Sequence, residues 1–207
     1  MSKKQYDRIK LIVKDLDKLQ NNTVVIIGIG GVGTYTIEAL ARMGIKKLII
    51  VDYDIIDITN LNRQLVTTHN NIGKLKCIEV KNRILSINPD CDVVAIEKFV
   101  NEDNIQEILN YHPGFIIDAC DSIDAKVLII KKALENNIAF ISSMGAANKT
   151  DISKIKISRL DKTYNDRLSK VMRNKIKKEK INGRIPVVFS EEIAQELTEY
   201  NNDSILG

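Results

Sequence analysis

The stretch TVVIIGIGGVG, residues 23–33, opens with five β-branched residues and then carries four glycines within six positions. Such a run is typical of a buried strand in a parallel sheet, because both faces of that strand are covered by helices. Residues 35–43 follow as a predicted helix that Gly44 ends. A strand, a glycine-rich turn and a helix in this order form the first repeat of an α/β fold.

The same alternation continues outward from this stretch as far as Ser143. Strands that alternate with helices predict an α/β fold with a doubly wound, mostly parallel, Rossmann-like sheet. We expect further strands at 47–54, 92–99, 115–119 and 139–143, and helices at 75–87, 101–111 and 125–136.

The two ends of the chain show other patterns. Residues 5–20 have apolar residues at helical spacing, so we predict an N-terminal helix within 1–22. Strands at 154–158 and 187–189 and a long basic helix at 163–180 are expected after the sheet. We therefore expect 1–207 to form a single domain, with its core over 23–150 and a basic helical extension over 151–207.

The composition is that of an ordinary globular protein, with 207 residues, 44% hydrophobic and 28% charged. No apolar run approaches the ~18 residues of a membrane span. The start of the chain carries no apolar stretch typical of a signal peptide. The three cysteines, Cys77, Cys91 and Cys120, form no C-x-x-C pair, so we expect free thiols and no structural zinc. A cytoplasmic protein without a membrane partner is expected.

The net charge of +4 conceals a local asymmetry. Residues 152–184 contain twelve Lys or Arg against three acids, and residues 185–207 contain five acids and no base. A basic block on a nearly neutral body favours a polyanionic partner.

The glycine-rich turn is the first candidate site. Gly28, Gly30, Gly31 and Gly33 let the backbone approach a phosphate, and the helix that follows offers its N–H groups to the anion. Asp52, nineteen residues past Gly33, is placed to accept hydrogen bonds from a ribose. This pattern predicts a nucleotide site, but it does not distinguish NAD from ATP.

Polar residues after the second strand favour a triphosphate. Asp54, Asn60, Arg63, Gln64 and Lys76 are all predicted beyond the carboxyl end of the sheet, beside the glycine turn. An arginine fork and a lysine point charge suit a polyphosphate, whereas a dehydrogenase has no use for them here. ATP is therefore the expected nucleotide, and an NAD-dependent oxidoreductase remains the alternative that leaves these cations unexplained.

The fourth predicted strand ends in Asp118-Ala119-Cys120-Asp121-Ser122. A carboxylate at this place can hold Mg²⁺ against phosphate oxygens, and Asp121 is the candidate. The alternative is that Asp121 caps the helix that starts near Ser122, a role that does not exclude the metal.

Together these motifs resemble the ThiF/MoeB/HesA adenylating superfamily, to which the ubiquitin-activating enzymes belong. The matching motifs are GIGGVG, the pair Asp52 and Asp54, TNLNRQ at 59–64, the G-x-x-K ending at Lys76, INP at 87–89 and DACDS at 118–122. The resemblance implies that a substrate carboxylate attacks the α-phosphate of ATP. It also implies that Asp52 binds the ribose, that Asn60, Arg63 and Lys76 hold the phosphates, and that Asp121 holds Mg²⁺. Ser122 and Gln64 would line the same site, and an arginine near the start, best matched by Arg8, would reach the partner's ATP in a homodimer.

Three features favour one branch of this superfamily, the tRNA threonylcarbamoyladenosine dehydratases (TcdA/CsdL type). Zinc-binding C-x-x-C pairs are absent, no cysteine follows Cys120, and SSMGAANKTD at 142–151, DKT at 161–163 and DRLSKVMR at 166–173 are similar to that branch. The branch usually has D-P where this chain has Asp166-Arg167. Its chains also continue with a further strand and helix past the position at which this sequence stops.

The branch implies a tRNA carrying N6-threonylcarbamoyladenosine next to the anticodon as the substrate, which adenylation and cyclisation would dehydrate. Basic side chains on the predicted long helix would contact phosphates without reading bases, and no DNA partner is expected. The candidates are Arg167, Lys170, Arg173, Lys175, Lys177 and Lys178. Mg²⁺, a monovalent cation and a sulfur-relay protein are further candidate partners. Two alternatives remain: activation of a ubiquitin-like sulfur carrier of the ThiS/MoaD type, and an RNA-binding module that consumes no ATP.

Overall fold

The computed structural model describes residues 4–195. The chain divides into two compact units, Met1–Ser143 (unit 1) and Met144–Gly207 (unit 2). The boundary falls directly after the last parallel strand, whereas the sequence predicted one domain with a core over 23–150 and an extension over 151–207. No helix within residues 4–195 is long and apolar enough to cross a membrane.

Unit 1 is built on strands that pair in parallel in the order β3-β2-β1-β4-β5. The strands are β1 (Thr23–Ile27), β2 (Lys47–Val51), β3 (Asp92–Ile96), β4 (Phe115–Asp118) and β5 (Ala139–Ser143). Because β1 pairs with both β2 and β4, the strand order reverses at β1. Such a switch point opens a crevice beyond the carboxyl ends of β1 and β4. The predicted α/β, mostly parallel sheet is confirmed.

Helices pack on the sheet of unit 1 through apolar side chains. They are α3 (Gly31–Met43), α4 (Lys76–Ile87), α5 (Ile105–Leu109) and α6 (Ile123–Glu135). Ile26 and Ile50 of the sheet form one buried cluster with Ile37 of α3 and Ile84 of α4. Gly44, at a φ of +83°, ends α3 in the left-handed conformation that glycine adopts without strain.

Two helices differ from the sequence prediction for local reasons. Helix α3 begins at Gly31, four residues before its predicted start, because the glycine turn itself supplies the first helical turn. Helix α5 is shorter than the predicted 101–111, because asparagine side chains bond to the backbone instead. Asn104 donates to the carbonyl of Phe99 (2.7 Å) and accepts from the N–H of Asn101 (3.0 Å).

The N-terminal helix predicted within 1–22 is interrupted, which corrects the sequence prediction. A 3₁₀ turn at Lys4–Tyr6 leads into α1 (Asp7–Lys10), and α2 (Leu16–Gln20) follows after residues 11–15. Within residues 4–20, the buried side chains are Tyr6, Leu16 and Gln20. Short helices depend on packing for their stability, and the residues between α1 and α2 lack it.

Residues 144–195 of unit 2 form an antiparallel strand pair and one amphipathic helix. Strand β6 (Ile155–Arg159) pairs with β7 (Pro186–Ser190), close to both predicted strands. Helix α7 (Arg167–Lys178) buries Met172 and Ile176. It starts later than the predicted 163 because the carboxylate of Asp166 caps it, accepting from the N–H of Ser169 at 2.5 Å.

Candidate active site

The glycine turn between β1 and α3 is tightly packed at its base and open at its tip. A Cβ on Gly28, at a φ of +92°, would lie 2.5 Å from the backbone nitrogen of Cys120, and one on Gly33 would lie 1.9 Å from the carbonyl oxygen of Gly28. At Gly30, the residue before α3, a Cβ would meet no atom within 4 Å. The first N–H groups of a helix have no acceptor within it, so the open tip can receive an anion.

Asp52 is fixed beside this turn at the carboxyl end of β2. Its Oδ2 accepts from the N–H of Ile29 at 2.5 Å, and its Oδ1 accepts from the N–H of Asp54 at 2.9 Å. Burial raises the pKa of Asp52, while these two hydrogen bonds and the charge of Lys76 oppose the rise. A carboxylate has about four acceptor positions, so Asp52 can accept further hydrogen bonds from hydroxyl groups.

Lys76 stands at the first position of α4 and is almost fully buried, with 6% of the residue exposed. Its ammonium donates to Oδ2 of Asp54 at 2.7 Å. A buried cation requires such a partner, because the loss of water is otherwise uncompensated. The structure therefore brings Asp52, Asp54 and Lys76 together at one edge of the sheet.

The segment 58–64 lies over the glycine turn. A Cβ on Gly31 would lie 3.5 Å from Cγ of Arg63, so the stem of this arginine runs directly beside the turn. The guanidinium of Arg63 donates to the carbonyl of Thr59 (2.9 Å) and to Oδ1 of Asn62 (3.0 Å). These exposed contacts can be exchanged for an anion, because the two acceptors can bond to water instead.

Asn60 and Gln64 have a structural role in the same segment. Both side chains are buried, and Oδ1 of Asn60 accepts from the N–H of Asp57 (3.1 Å) in a capping box. The carbonyl of Asn60 also accepts from the N–H of Gln64 at 2.9 Å. These contacts hold the segment in the shape that carries Arg63 to the turn.

Asp121 is exposed at the end of β4, across the switch point from Asp52. The cap of α6 is Ser122, whose hydroxyl accepts from the N–H of Ala125 at 3.3 Å. The helix-cap alternative for Asp121 is thereby wrong. Residues 4–195 hold no cluster of three or more His, Cys, Asp or Glu side chains suited to a metal ion. Mg²⁺ is commonly held by one or two carboxylates together with substrate phosphates, a role open to Asp121.

A buried ion pair behind this crevice escaped the sequence analysis. Lys126 of α6 and Asp118 at the end of β4 are both fully buried, and Nζ of Lys126 lies 3.1 Å from each carboxylate oxygen. The ammonium also donates to the carbonyl of Ser143 at 2.7 Å, and the hydroxyl of Ser142 donates to Asp118 at 2.5 Å. The network joins the carboxyl ends of β4 and β5 to α6. A lysine within the apolar run 125–130 was the signal that could have revealed it.

The three cysteines are free and poorly suited to nucleophilic chemistry. Burial raises the pKa of Cys77 to about 12 and that of Cys91 to about 11. Burial, followed by the charge of Asp118, also raises the pKa of Cys120, whose thiol donates to that carboxylate at 3.1 Å. The thiolate is the reactive form, so none of the three is activated.

Arg8 forms no hydrogen bond with the residues of the crevice. It is exposed on α1, and its side chain forms no hydrogen bond or ion pair with any residue of the range 4–195. The hydrogen bonds and ion pairs of residues 4–195 therefore do not link Arg8 to the site.

The predicted RNA-binding residues on helix α7 of unit 2 fall into two groups that differ in exposure. Four are exposed: Arg167, Lys170, Lys177 and Lys178. Lys175 is partly buried, and Arg173 points inward, where it donates to the carbonyl of Thr163 at 2.9 Å and to that residue's hydroxyl. Spacings of three and seven residues place Arg167, Lys170 and Lys177 on one face of the helix.

Comparison with known proteins agrees with this geometry. A sequence profile of the ThiF family matches residues 3–200. The chain is 42% identical over 190 residues to the tRNA threonylcarbamoyladenosine dehydratase of Bacillus subtilis, covering 91% of this chain and 75% of that protein. It is 39% identical over 164 residues to the enzyme of the same name from Haemophilus influenzae, covering 79% of this chain but only 63% of that relative.

Solved structures give the same result. The crystal structure of the Escherichia coli tRNA N6-threonylcarbamoyladenosine dehydratase, TcdA, in complex with ATP has a TM-score of 0.85 at 32% identity, covering 89% of this chain and 79% of that one. The complex of that enzyme with AMP has a TM-score of 0.86 at 31% identity, covering 93% and 81%. The chain therefore belongs to the ThiF family, and within it to the tRNA threonylcarbamoyladenosine dehydratases.

Proposed function

We propose that this protein is an ATP-dependent enzyme that cyclises N6-threonylcarbamoyladenosine next to the anticodon of tRNA through an acyl-adenylate. The observation that carries the proposal is the convergence of an open glycine turn, the ribose-type carboxylate of Asp52 and two cations, Arg63 and Lys76, at one switch point. The Escherichia coli enzyme that shares this fold has been solved in complex with ATP and with AMP.

The phosphates of ATP fit the open side of the glycine turn. The space at Gly30 and the first N–H groups of α3 supply a cradle, and the stem of Arg63 adjoins it. The ammonium of Lys76 is paired with the carboxylate of Asp54. A triphosphate brings several negative charges, so the ammonium can contact a phosphate oxygen and remain compensated. Asn60 and Gln64 support this arrangement mainly by holding the segment that carries Arg63.

Asp121 would hold Mg²⁺, which would neutralise charge on the phosphates when bound. Ser122 acts beside it by fixing the start of α6. The chain's own contribution is then to orient ATP so that its α-phosphorus is open to a carboxylate and to stabilise the charge that develops.

The reaction balances without a nucleophile from the protein. The threonyl carboxylate attacks the α-phosphate, and pyrophosphate leaves. An atom of the same modified base then attacks the activated carbonyl and gives up its proton to water, and AMP leaves with the oxygen that the carboxylate contributed. The second step is intramolecular, and proximity lowers its barrier. The raised pKa values of the three cysteines are consistent with a path that uses no thiolate.

The exposed face of α7 would bind the tRNA backbone through Arg167, Lys170, Lys177 and Lys178, with Lys175 beside it. Arg173 would contribute indirectly, because its guanidinium is held by Thr163. Such contacts give affinity that falls with salt and carries no sequence information.

The proposal extends to the oligomeric state and to further partners. We infer a homodimer in which Arg8, which is exposed on α1, reaches the partner's ATP. We infer in addition a cytoplasmic location, and a monovalent cation and a sulfur-relay protein as further partners.

Mass spectrometry of tRNA nucleosides after incubation with ATP and Mg²⁺ tests the proposal. We expect conversion of the linear modification to the cyclic one with AMP released, and about 10²–10³-fold slower conversion by Arg63→Ala, the range measured when one stabilising donor is removed. Arg42→Ala, which removes an exposed arginine of α3, serves as the matched control. An unchanged linear modification would refute the substrate. ATP consumption that depends instead on a Gly-Gly-tailed carrier protein would favour the sulfur-carrier alternative.

A further inference from the structure

An exposed aromatic ring lies in the basic stretch of unit 2. Tyr164 follows β6 and precedes Arg167, the first residue of α7, by three positions. It is 48% exposed, and it belongs to residues 152–184, which hold twelve Lys or Arg against three acids. A single exposed tyrosine is ordinary on a protein surface, but this one is fixed in place by several contacts.

The ring of Tyr164 is held both at its edge and at its hydroxyl. It packs edge-to-face against Phe189 of β7, with the centroids 5.6 Å apart and an interplanar angle of 75°. Phe189 is only 3% exposed and is part of the core. The hydroxyl of Tyr164 donates to Oε2 of Glu191, and this hydrogen bond is the first cause that raises the pKa of Tyr164. The phenol therefore stays protonated at neutral pH and keeps donating, which sets the orientation of the ring.

The backbone turn that carries the ring is fixed as well. Asn165 has a φ of +53°, a conformation that asparagine tolerates better than most residues. Its Nδ2 donates to the carbonyl of Glu191 at 3.0 Å, and its own carbonyl accepts from Nζ of Lys149 at 3.3 Å. The same ammonium donates to the carbonyl of Ser190 at 2.8 Å. These contacts join the turn at Tyr164 to the end of β7.

Positive charges surround the fixed ring. Nζ of Lys156 lies 2.5 Å from Oε2 of Glu191, and Nζ of Lys154 lies 4.0 Å from Oε1. The two ammonium groups outnumber the carboxylate, so the hydroxyl of Tyr164 is held without a net negative charge. Arg167, which is exposed, adds a further cation at the start of α7. Aromatic rings among basic side chains are typical of surfaces that bind single-stranded nucleic acid.

The ring itself is the part of Tyr164 left for a ligand, because its hydroxyl is committed to Glu191. A ring that is already oriented loses little side-chain entropy when a planar group stacks on it. Bases within a duplex are stacked on their neighbours, whereas the bases of a loop can turn outward onto a protein ring. We propose that Tyr164 is a stacking platform for an unpaired base of the tRNA substrate, next to the phosphate contacts of α7.

The platform adds a preference for loops over duplexes without reading sequence, because every base has a face that can stack. This inference rests on the proposed function, because it requires that unit 2 binds tRNA.

The test compares RNA with and without unpaired bases. Binding of a tRNA anticodon stem-loop, and of an RNA duplex of the same length, is measured by fluorescence anisotropy for the full chain and its variants. Tyr164→Leu keeps an apolar cover on Phe189 but lacks an aromatic face, whereas Tyr164→Phe keeps the ring. We expect Tyr164→Leu to bind the stem-loop roughly tenfold more weakly, within the range for loss of one base–aromatic stack. Its duplex binding, and the stem-loop binding of Tyr164→Phe, should change by less than about threefold on that scale.

Two controls separate stacking from other effects. Tyr35→Leu removes a tyrosine of α3 that is 56% exposed and lies outside the basic stretch, and its affinity for the stem-loop should equal that of the wild type. Tyr164→Leu should leave the steepness of the salt dependence unchanged, because that quantity reflects phosphate contacts.

A fluorescent base gives a direct readout of stacking. The adenine analogue 2-aminopurine, which is quenched when it stacks, is placed in turn at each unpaired position of the loop. The wild type should quench it at one position or more, and Tyr164→Leu should quench it less at that position.

Each failure has a distinct meaning. If the wild type binds neither RNA, the tRNA assignment of the proposed function fails and the inference with it. If the wild type binds the stem-loop and Tyr164→Leu binds and quenches it equally well, the stacking role alone is overturned. If Tyr164→Leu weakens stem-loop and duplex binding to the same extent, the ring supports the fold or the phosphate contacts, and the inference is likewise overturned.

Discussion

Replacing Lys126 by methionine tests the buried ion pair behind the crevice. Methionine keeps the unbranched shape of the lysine stem, so the change removes the ammonium with little change in packed volume. It leaves the carboxylate of Asp118 buried without its cation and the carbonyl of Ser143 without a donor.

The expected cost follows from what remains at the site. Breaking a fully buried pair costs about 3–5 kcal/mol, because an uncompensated charge stays in the interior. Asp118 keeps hydrogen bonds from the hydroxyl of Ser142 (2.5 Å) and the N–H of Cys120 (3.2 Å), which place the cost near the lower limit. At 2–4 °C for each kcal/mol in a chain of this size, the Tm should fall by about 10 °C.

Thermal and urea unfolding of Lys126→Met, Asp118→Asn and the double variant measure this cost and the coupling between the two side chains. The double variant should be more stable than Lys126→Met alone, since the neutral amide can still accept from Ser142 and needs no cation. Lys98→Met is the matched control. It breaks the Lys98–Glu107 pair, in which both side chains are about half exposed, and should cost less than about 1 kcal/mol. Equal losses in Lys126→Met and Lys98→Met would refute the assignment of a buried, coupled pair.

Three further changes address the crevice, the thiols and the basic helix. Gly30→Ala should fold with an unchanged Tm, because the added Cβ meets no atom of the protein within 4 Å. The same Cβ projects into the open tip of the turn, so ATP should bind roughly tenfold more weakly in titration calorimetry. Unaltered ATP binding would place the phosphates elsewhere. The thiols of the native protein should react slowly with a disulfide reagent at pH 8 and faster as the pH rises. The reason is that burial raises the pKa of Cys77 to about 12, and the reactive thiolate is scarce below that pH. Rapid labelling of the native protein would contradict this. Lys177→Ala should lower the steepness of the plot of log affinity for tRNA against log salt concentration by about 0.7–0.9, because one phosphate contact is lost. Arg173→Ala should mainly lower the Tm, because its guanidinium holds Thr163. A normal Tm and a less steep salt dependence for Arg173→Ala would show that Arg173 contacts the tRNA directly.

The sequence determined the features that depend on neighbours along the chain. Three such features are visible in the sequence: the β-branched run of β1, the glycines after it and the position of Asp52. They can be recognised because strand propensity, backbone freedom and spacing along the chain are local properties. Five parallel strands follow from the same alternation. Asp54 lies just after β2 and Lys76 at the start of α4, so both belong at the carboxyl edge, where all the parallel strands of the sheet end.

Only the tertiary structure decided which side chains face each other. The pair of Lys126 and Asp118, the inward turn of Arg173 and the contact between Tyr164 and Phe189 each join residues from different elements. The interruption of the N-terminal helix has the same origin, since Ile12 fits the helical pattern but meets no core. Burial and charge pairing are free energies of packed surfaces, and they are defined only when distant segments of the chain have come together.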